Sequence, residues 1–304
     1  MPTHRRIRLV DLPSLMWAFT ESDFPTFVLP NTGFGLLAAL VAPTLTDCIE
    51  VPPNAVSLLF QAAPRILLFN WSNLLVFDLA NQRLPESVAE DLMNKPWRPL
   101  PRGRINPVQT RQLLLGAVPA VWVVSSILGV GPESALILLL TWMYNDLHGG
   151  DELTRDFIIA IAYDLFLVSS LRIALTATGT CTSVSISTTG HRWRGMLAGV
   201  IATTMQIQDL RDQVGDQKRG RKTWPLVLGD VVSRGWIAAC VMFWSIACAL
   251  FWHVPLWVSA GVVLLGTWIG VRVLLKRGDV GAWRWWCFWQ LALYSLPVWH
   301  VTGG

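Results

Sequence analysis

The chain has 304 residues, of which 53% are hydrophobic and only 14% charged, with 17 Trp and a mean hydropathy of +0.45. That is too apolar for a water-soluble domain of this size and reads as a polytopic membrane protein. The net charge of +4 comes with no aromatic-interleaved basic groove and no base-reading motif, which argues against nucleic acid as a partner.

The first residues, Met1 to Arg8, are polar and no signal-peptide core with a cleavage site follows them, so the first span is expected to stay in the mature chain. Segments of about 20 largely apolar residues fall at 24–46, 54–80, 112–130, 133–148, 153–177, 193–212, 232–252, 255–275 and 283–302. The expected fold is therefore all-α: nine transmembrane helices in a single domain over 1–304. Alternating connections separate the charges. The N-terminal side takes Arg5, Arg6, Arg8, the basic residues of 83–111, Arg155, the run 211–222, Arg234, Lys276, Arg277 and Arg284, while the opposite side holds Arg192 and Arg194. This positive-inside bias places the N-terminus and the polar segments 81–111 and 211–231 in the cytosol. Cys48, Cys181, Cys240, Cys248 and Cys287 show no CxxC or Cys/His spacing and read as small core fillers, not as disulfide or metal ligands. Trp283, Trp285, Trp286 and Trp289 read as an interfacial aromatic belt.

Four polar interruptions carry the chemistry. In the second span Asn70, Asn73, Asp78 and Asn81 share an arc of roughly 140° on a helix. Polar groups there are costly unless they face partners or water, so they are expected to line a cavity, the alternative being interhelical hydrogen bonds between the Asn side chains. Residues 90–105 follow, where Pro96, Pro99 and Pro101 should hold an extended loop and fix the directions of Lys95, Arg98, Arg102 and Arg104. Guanidinium forks suit phosphate oxygens, although a topology-setting basic loop has the same composition. The knot Tyr144 to Leu153 closes the fourth span. Its Asn145 either touches substrate, metal or a neighbouring loop, or caps the helix, and Gly149 and Gly150 end that helix. His148 has no metal-ligand companion at a useful spacing. Arg65 and Arg172 lie inside spans, where a carboxylate such as Asp164 would make them structural.

The fourth interruption is Gln208 to Pro225. Asp209, Asp212 and Asp216 recur at i, i+3 and i+7, within about 60° of one helical face. Carboxylates so arranged repel one another unless a cation sits between them, and an oxygen-only ligand set suits Mg²⁺. Lys218, Arg219, Arg221 and Lys222 follow, with Gly215 and Gly220 as helix breakers. The bland reading of such a stretch is a solvated amphipathic helix end.

Together, the stretch Asn70 to Gln82, the run N-K-P-W-R-P-L-P-R-G-R-I at 94–105 and the Asp-rich motif ending in G-R-K-T-W-P resemble the UbiA-type intramembrane prenyltransferase superfamily. The likeness is to the fungal branch that includes terpene cyclases, and it covers nearly the whole chain. The first motif differs from the family pattern N-D-x-x-D-x-x-x-D in carrying one acid, Asp78. The resemblance implies a bundle around a central cavity opening to the cytosolic side. It implies Mg²⁺ held by Asp209, Asp212, Asp216, Asn73, Asp78 and Asn81 against an isoprenyl diphosphate, with Lys95, Arg98, Arg221 and Lys222 neutralising phosphate charge. Asp209, Asp212 and Asn145 are the catalytic candidates. The implied reaction is ionisation of a linear geranylgeranyl or farnesyl diphosphate and cyclisation of the cation, in secondary metabolism at the endoplasmic reticulum membrane. Transfer of the isoprenyl group to an aromatic or other acceptor is the alternative enzyme. Trp71, Phe77, Trp142, Tyr144, Tyr163 and Phe166 are candidate cation–π faces. A transporter or lipid-binding scaffold would instead need acids deep in several spans.

Overall fold

A computed structural model describes residues 8–48, 51–275 and 279–303. Proline sets many of the helix starts, since its missing N–H costs nothing in the first turn. It sits at the first or second position of α1 (Leu12–Thr20), α2 (Leu29–Ala39), α3 (Ala63–Gln82), α4 (Pro85–Asn94), α5 (Pro107–Ile127) and α6 (Gly131–Asn145). Asn106 adds a reciprocal capping box with Gln109 to α5. The chain continues through α7 (Arg155–Ala177), α8 (Thr188–Thr204), α9 (Asp209–Arg219), α10 (Asp230–Trp252), α11 (Leu256–Leu274) and α12 (Asp279–Gly303). Ser187 caps α8 by accepting from the Gly190 N–H at 3.0 Å.

Among the described residues, α5, α7, α10 and α11 are long and apolar enough to cross a membrane by length and composition. Their outward faces carry exposed Leu115, Ile127, Phe243, Leu250 and Leu264. Such a surface is unfavourable in water and favourable in lipid. Inside, α7 packs on α2, α6, α8 and α3, and α9 packs on α4.

Several expectations change. The sixth span does not run on into the Asp-rich motif: α8 ends at Thr204, a 3-10 turn covers Met205–Gln208, and the acids occupy a helix of their own. Gly215 lies inside that helix and breaks nothing, because its missing side chain makes room for Asn94. Gly220 does end it, in the left-handed region with φ 81°. The stretch after Glu90 is not extended. It is the last turn of α4, followed by turns closed by Arg98 N–H to Lys95 O at 3.0 Å and Arg104 N–H to Pro99 O at 3.0 Å. Proline removes donors only, so the carbonyls remain available to accept these bonds.

Trp286 and Trp289 are not belt residues. Both are fully buried, and their indoles donate to Thr204 and Ser245 at 2.9 Å, while Trp285 remains exposed. The cysteines divide in a way that spacing does not reveal. Cys248 and Cys287 are buried core residues, but Cys48 and Cys181 form a disulfide across 133 residues, with Cα atoms 6.4 Å apart. An isolated antiparallel bridge between Thr46 and Ile186, and the Ser187 hydroxyl donating to Thr44 O at 2.8 Å, bring these two connections together. Arg172 pairs with Glu133, whereas Asp164 belongs to Arg194 at 2.5 Å. Arg65 donates to Gln61 O at 2.8 Å.

Candidate active site

One cavity of about 1190 Å³, open mouth included, is lined by residues from α3, the 95–98 turn, α6, α7, α9, the turn before α2 and the start of α12. It receives Asp78, Asn81, Lys95, Arg98, Asp209, Asp212, Asp216 and Arg221. Asp78 and the α9 acids, 131 or more residues apart in sequence, thus face the same space.

The α3 polar face is split by depth. Asp78 and Asn81 reach the cavity, but Asn70 and Asn73 lie about 12 Å and 8 Å further along the helix from Asp78, at 1.5 Å per residue. There they take the alternative role of interhelical hydrogen bonding. Asn70 bonds Thr32 and Ser170 at 3.2 Å, while Asn73 donates to Ser125 at 3.3 Å and accepts from Ser134 at 2.9 Å. Asn73 is therefore not among the lining residues. Asn145 is also set back. It donates to Thr141 O at 2.9 Å and accepts from Asn81 at 3.0 Å, so its place is behind Asn81. Lys222 lies at the surface, paired with Glu152 at 2.8 Å.

The basic residues are held by acids that the sequence did not single out. Arg98 is buried, its Nη1 2.9 and 3.1 Å from the two Asp91 oxygens and its Nη2 3.3 Å from Asp23. Glu90 of α4 bridges Arg219 and Arg221 at 3.1 Å each, and Asp151 takes the same pair at 2.8 and 3.3 Å. Arg155, which sequence reasoning counted only as a topology charge, is buried against Asp209. A carboxylate at helical spacing announces itself; a lone arginine at a helix start does not. Lys95 lines the cavity with no ion-pair partner among the described residues.

Burial, with Asp209 nearby, pushes the Asp216 carboxyl up to about 7. Burial likewise raises Asp91 in spite of Arg98. Burial works against the charge of Asp151, but Arg219, a hydrogen bond from His148 and Arg221 outweigh it and hold the carboxyl below its ordinary range.

The donor set fits hard divalent cations. Asp78 Oδ2, Asp209 Oδ2 and Asp216 Oδ2 are buried and have no hydrogen-bond partner. An unpaired buried carboxylate oxygen is expensive unless something binds it. Among the described residues no three acidic, His or Cys side chains converge on one point, and these carboxylates line the cavity from α3 and α9.

Below this polar rim the cavity is apolar and aromatic. Ile137, Leu140, Ile158, Ile159 and Met205 line it with Phe27, Phe77, Tyr144, Tyr163, Phe166 and Trp283. Phe27 meets Tyr163 and Phe166 edge-on, with centroids 5.0 and 4.7 Å apart. Trp71 is directed elsewhere, donating to Thr20 at 3.0 Å, and Trp142 is 50% exposed.

Known proteins resemble this chain in sequence and in fold. The chain is 27% identical over 295 residues to the fumagillin beta-trans-bergamotene synthase of Aspergillus fumigatus, covering 93% of this chain and 91% of that protein. It is 29% identical over 234 residues to a polyprenyl transferase of Hericium erinaceus, covering 72% and 70%. A UbiA homologue from Archaeoglobus fulgidus, solved with DMAPP and Mg²⁺ bound, superposes with a TM-score of 0.63 at 11% identity over 95% of this chain and 99% of that one, which establishes the shared fold. The UbiA prenyltransferase family profile matches residues 75–292, spanning α3 to α12 and both polar walls of the cavity; the chain is an integral membrane protein belonging to that family.

Proposed function

We propose that this protein is a Mg²⁺-dependent terpene cyclase that ionises a linear isoprenyl diphosphate. In this reading the whole chain is one membrane domain of nine spans, and the cavity opens to the cytosolic side of the endoplasmic reticulum membrane. The observation that carries the reading is the meeting of Asp78 with Asp209, Asp212 and Asp216 over a single apolar, aromatic-walled hollow. Six carboxylates and four cationic side chains line it: Asp23, Asp78, Glu90, Asp209, Asp212 and Asp216 against Lys95, Arg98, Arg155 and Arg221, a balance of −2. Such a site attracts divalent cations and, through them, a polyanion.

Asp78, Asp209, Asp212 and Asp216 would hold Mg²⁺, with Asn81 beside them. Bound there, the ion supplies charge neutralisation for the departing diphosphate. Lys95 and Arg221 orient the diphosphate oxygens from the rim, and Arg98 fixes that rim through Asp91. The C1–O bond then breaks with its electron pair on the diphosphate oxygen, leaving an allylic cation in the hollow. Phe27, Phe77, Tyr144, Tyr163 and Phe166 present ring faces or edges around it, and the apolar walls exclude water that would quench it. Attack by a distal alkene closes the ring, and loss of a proton gives the hydrocarbon.

Prenyl transfer to an acceptor uses the same ionisation, and the similarity to the polyprenyl transferase supports it as the second reading. The broader coverage of the bergamotene synthase favours cyclisation. Purified protein given geranylgeranyl, farnesyl or geranyl diphosphate with Mg²⁺ and no acceptor should release a cyclic hydrocarbon. Turnover only after an aromatic acceptor is added would decide for the transferase.

A further inference from the structure

The two polar walls of the cavity are unequal. Helix α9 brings three carboxylates, whereas the facing helix α3 brings only Asp78. A second acid reaches that wall from outside both sequence motifs. Asp23 lines the cavity together with Asp78 and lies 3.3 Å from Arg98 Nη2. It directly precedes a π-helical turn, Phe24–Val28, that also turns Thr26 and Phe27 into the cavity. Single π turns widen a helix and re-aim its side chains, and they recur at functional sites.

Arg98 engages both Asp91 oxygens through Nη1 and meets Asp23 through Nη2 at Oδ2 alone. Asp23, Asp78 and Asp91 around Arg98 and Lys95 leave one negative charge in excess. Asp78 is 1% exposed and its Oδ2 has no partner. Carboxylates that line one cavity wall, one of them with a free, buried oxygen, call for a cation between them.

We propose that Asp23 and Asp78 together hold a divalent cation on the α3 wall, so that the segment before α2 completes this half of the site. The proposal rests on the metal-dependent reading above. The full chain, purified in detergent, would be titrated with Mn²⁺ in the presence of inorganic pyrophosphate, with free Mn²⁺ followed by electron paramagnetic resonance. Asp23→Asn should lose one bound ion or weaken it at least about tenfold, and Asp23→Glu should recover binding. The rise in Tm on adding Mn²⁺ should shrink in Asp23→Asn to match, which gives a second readout if that variant is less stable. A merely structural role would lower Tm without metal and leave the Mn²⁺ affinity and stoichiometry unchanged, which overturns the proposal. Asp209→Asn separates the two readings. If it loses Mn²⁺ while Asp23→Asn binds as wild type, only this inference falls; if the wild type binds no Mn²⁺, both fall.

Discussion

Gly215→Ala tests how the two walls of the cavity are held in register. The carboxamide of Asn94, the last residue of α4, accepts from the Gly215 N–H at 3.2 Å and donates to Asp212 O at 3.0 Å, so it clamps α9 in mid-helix. A Cβ on residue 215 would lie 2.2 Å from Asn94 Nδ2 and 2.5 Å from its Cγ, which forces the carboxamide out. Alanine in place of a mid-helix glycine gains about 1 kcal/mol. Losing two hydrogen bonds costs about 0.5–1.5 kcal/mol each, so the net change in stability is about 0–2 kcal/mol. The functional effect should be larger, because Lys95 and Arg98 follow Asn94 directly while Asp212 and Asp216 flank Gly215. A displacement near 1 Å between such groups costs up to about a hundredfold in rate. The assay is product formation from an isoprenyl diphosphate with Mg²⁺, beside a thermal melt. We expect kcat/KM to fall at least tenfold with Tm lowered by only a few degrees, and Asn94→Ala to behave alike. Activity within twofold of wild type in both variants would refute the clamp.

Asp209→Ala or Asp212→Ala should abolish product formation while the protein still accumulates in membranes; unchanged turnover would remove the metal assignment. Lys95→Ala should raise KM for the diphosphate substrate with little change in Tm, since that side chain lines the cavity without an ion-pair partner among the described residues, whereas an unaltered KM would take it out of the site. Arg98→Ala should behave differently and destabilise by about 3–5 kcal/mol, because it strands the buried Asp91, and a melt reads this directly. The pH response follows from Asp216, raised to about 7. Its proton must leave before the carboxylate can bind metal, so the Mg²⁺ needed for half-maximal activity should rise about tenfold from pH 8 to pH 6. In metal-free protein the same group, with its native value above the unfolded 3.8, should cost stability increasingly as pH rises from about 4 to 7. Cys48→Ser should lower stability by about 2–4 kcal/mol and expose Cys181 to a maleimide applied from the side opposite the α9 acids.

Composition alone determined that this is a helical membrane chain, because a polypeptide so apolar has few other ways to satisfy its backbone in lipid. The i, i+3, i+7 acids of α9 were also legible, since helical spacing translates directly into a shared face. What required the tertiary structure were the partners of those residues. Asp23, Arg155 and Glu90 join the site from three different segments, and no local pattern distinguishes them from ordinary charges. Depth along α3 separated Asp78 and Asn81 from Asn70 and Asn73, though all four share one arc. The Cys48–Cys181 bond and the burial of Trp286 and Trp289 likewise depend on which segments meet. Periodicity fixes the direction in which a side chain points, while the packing of distant helices decides what it meets there.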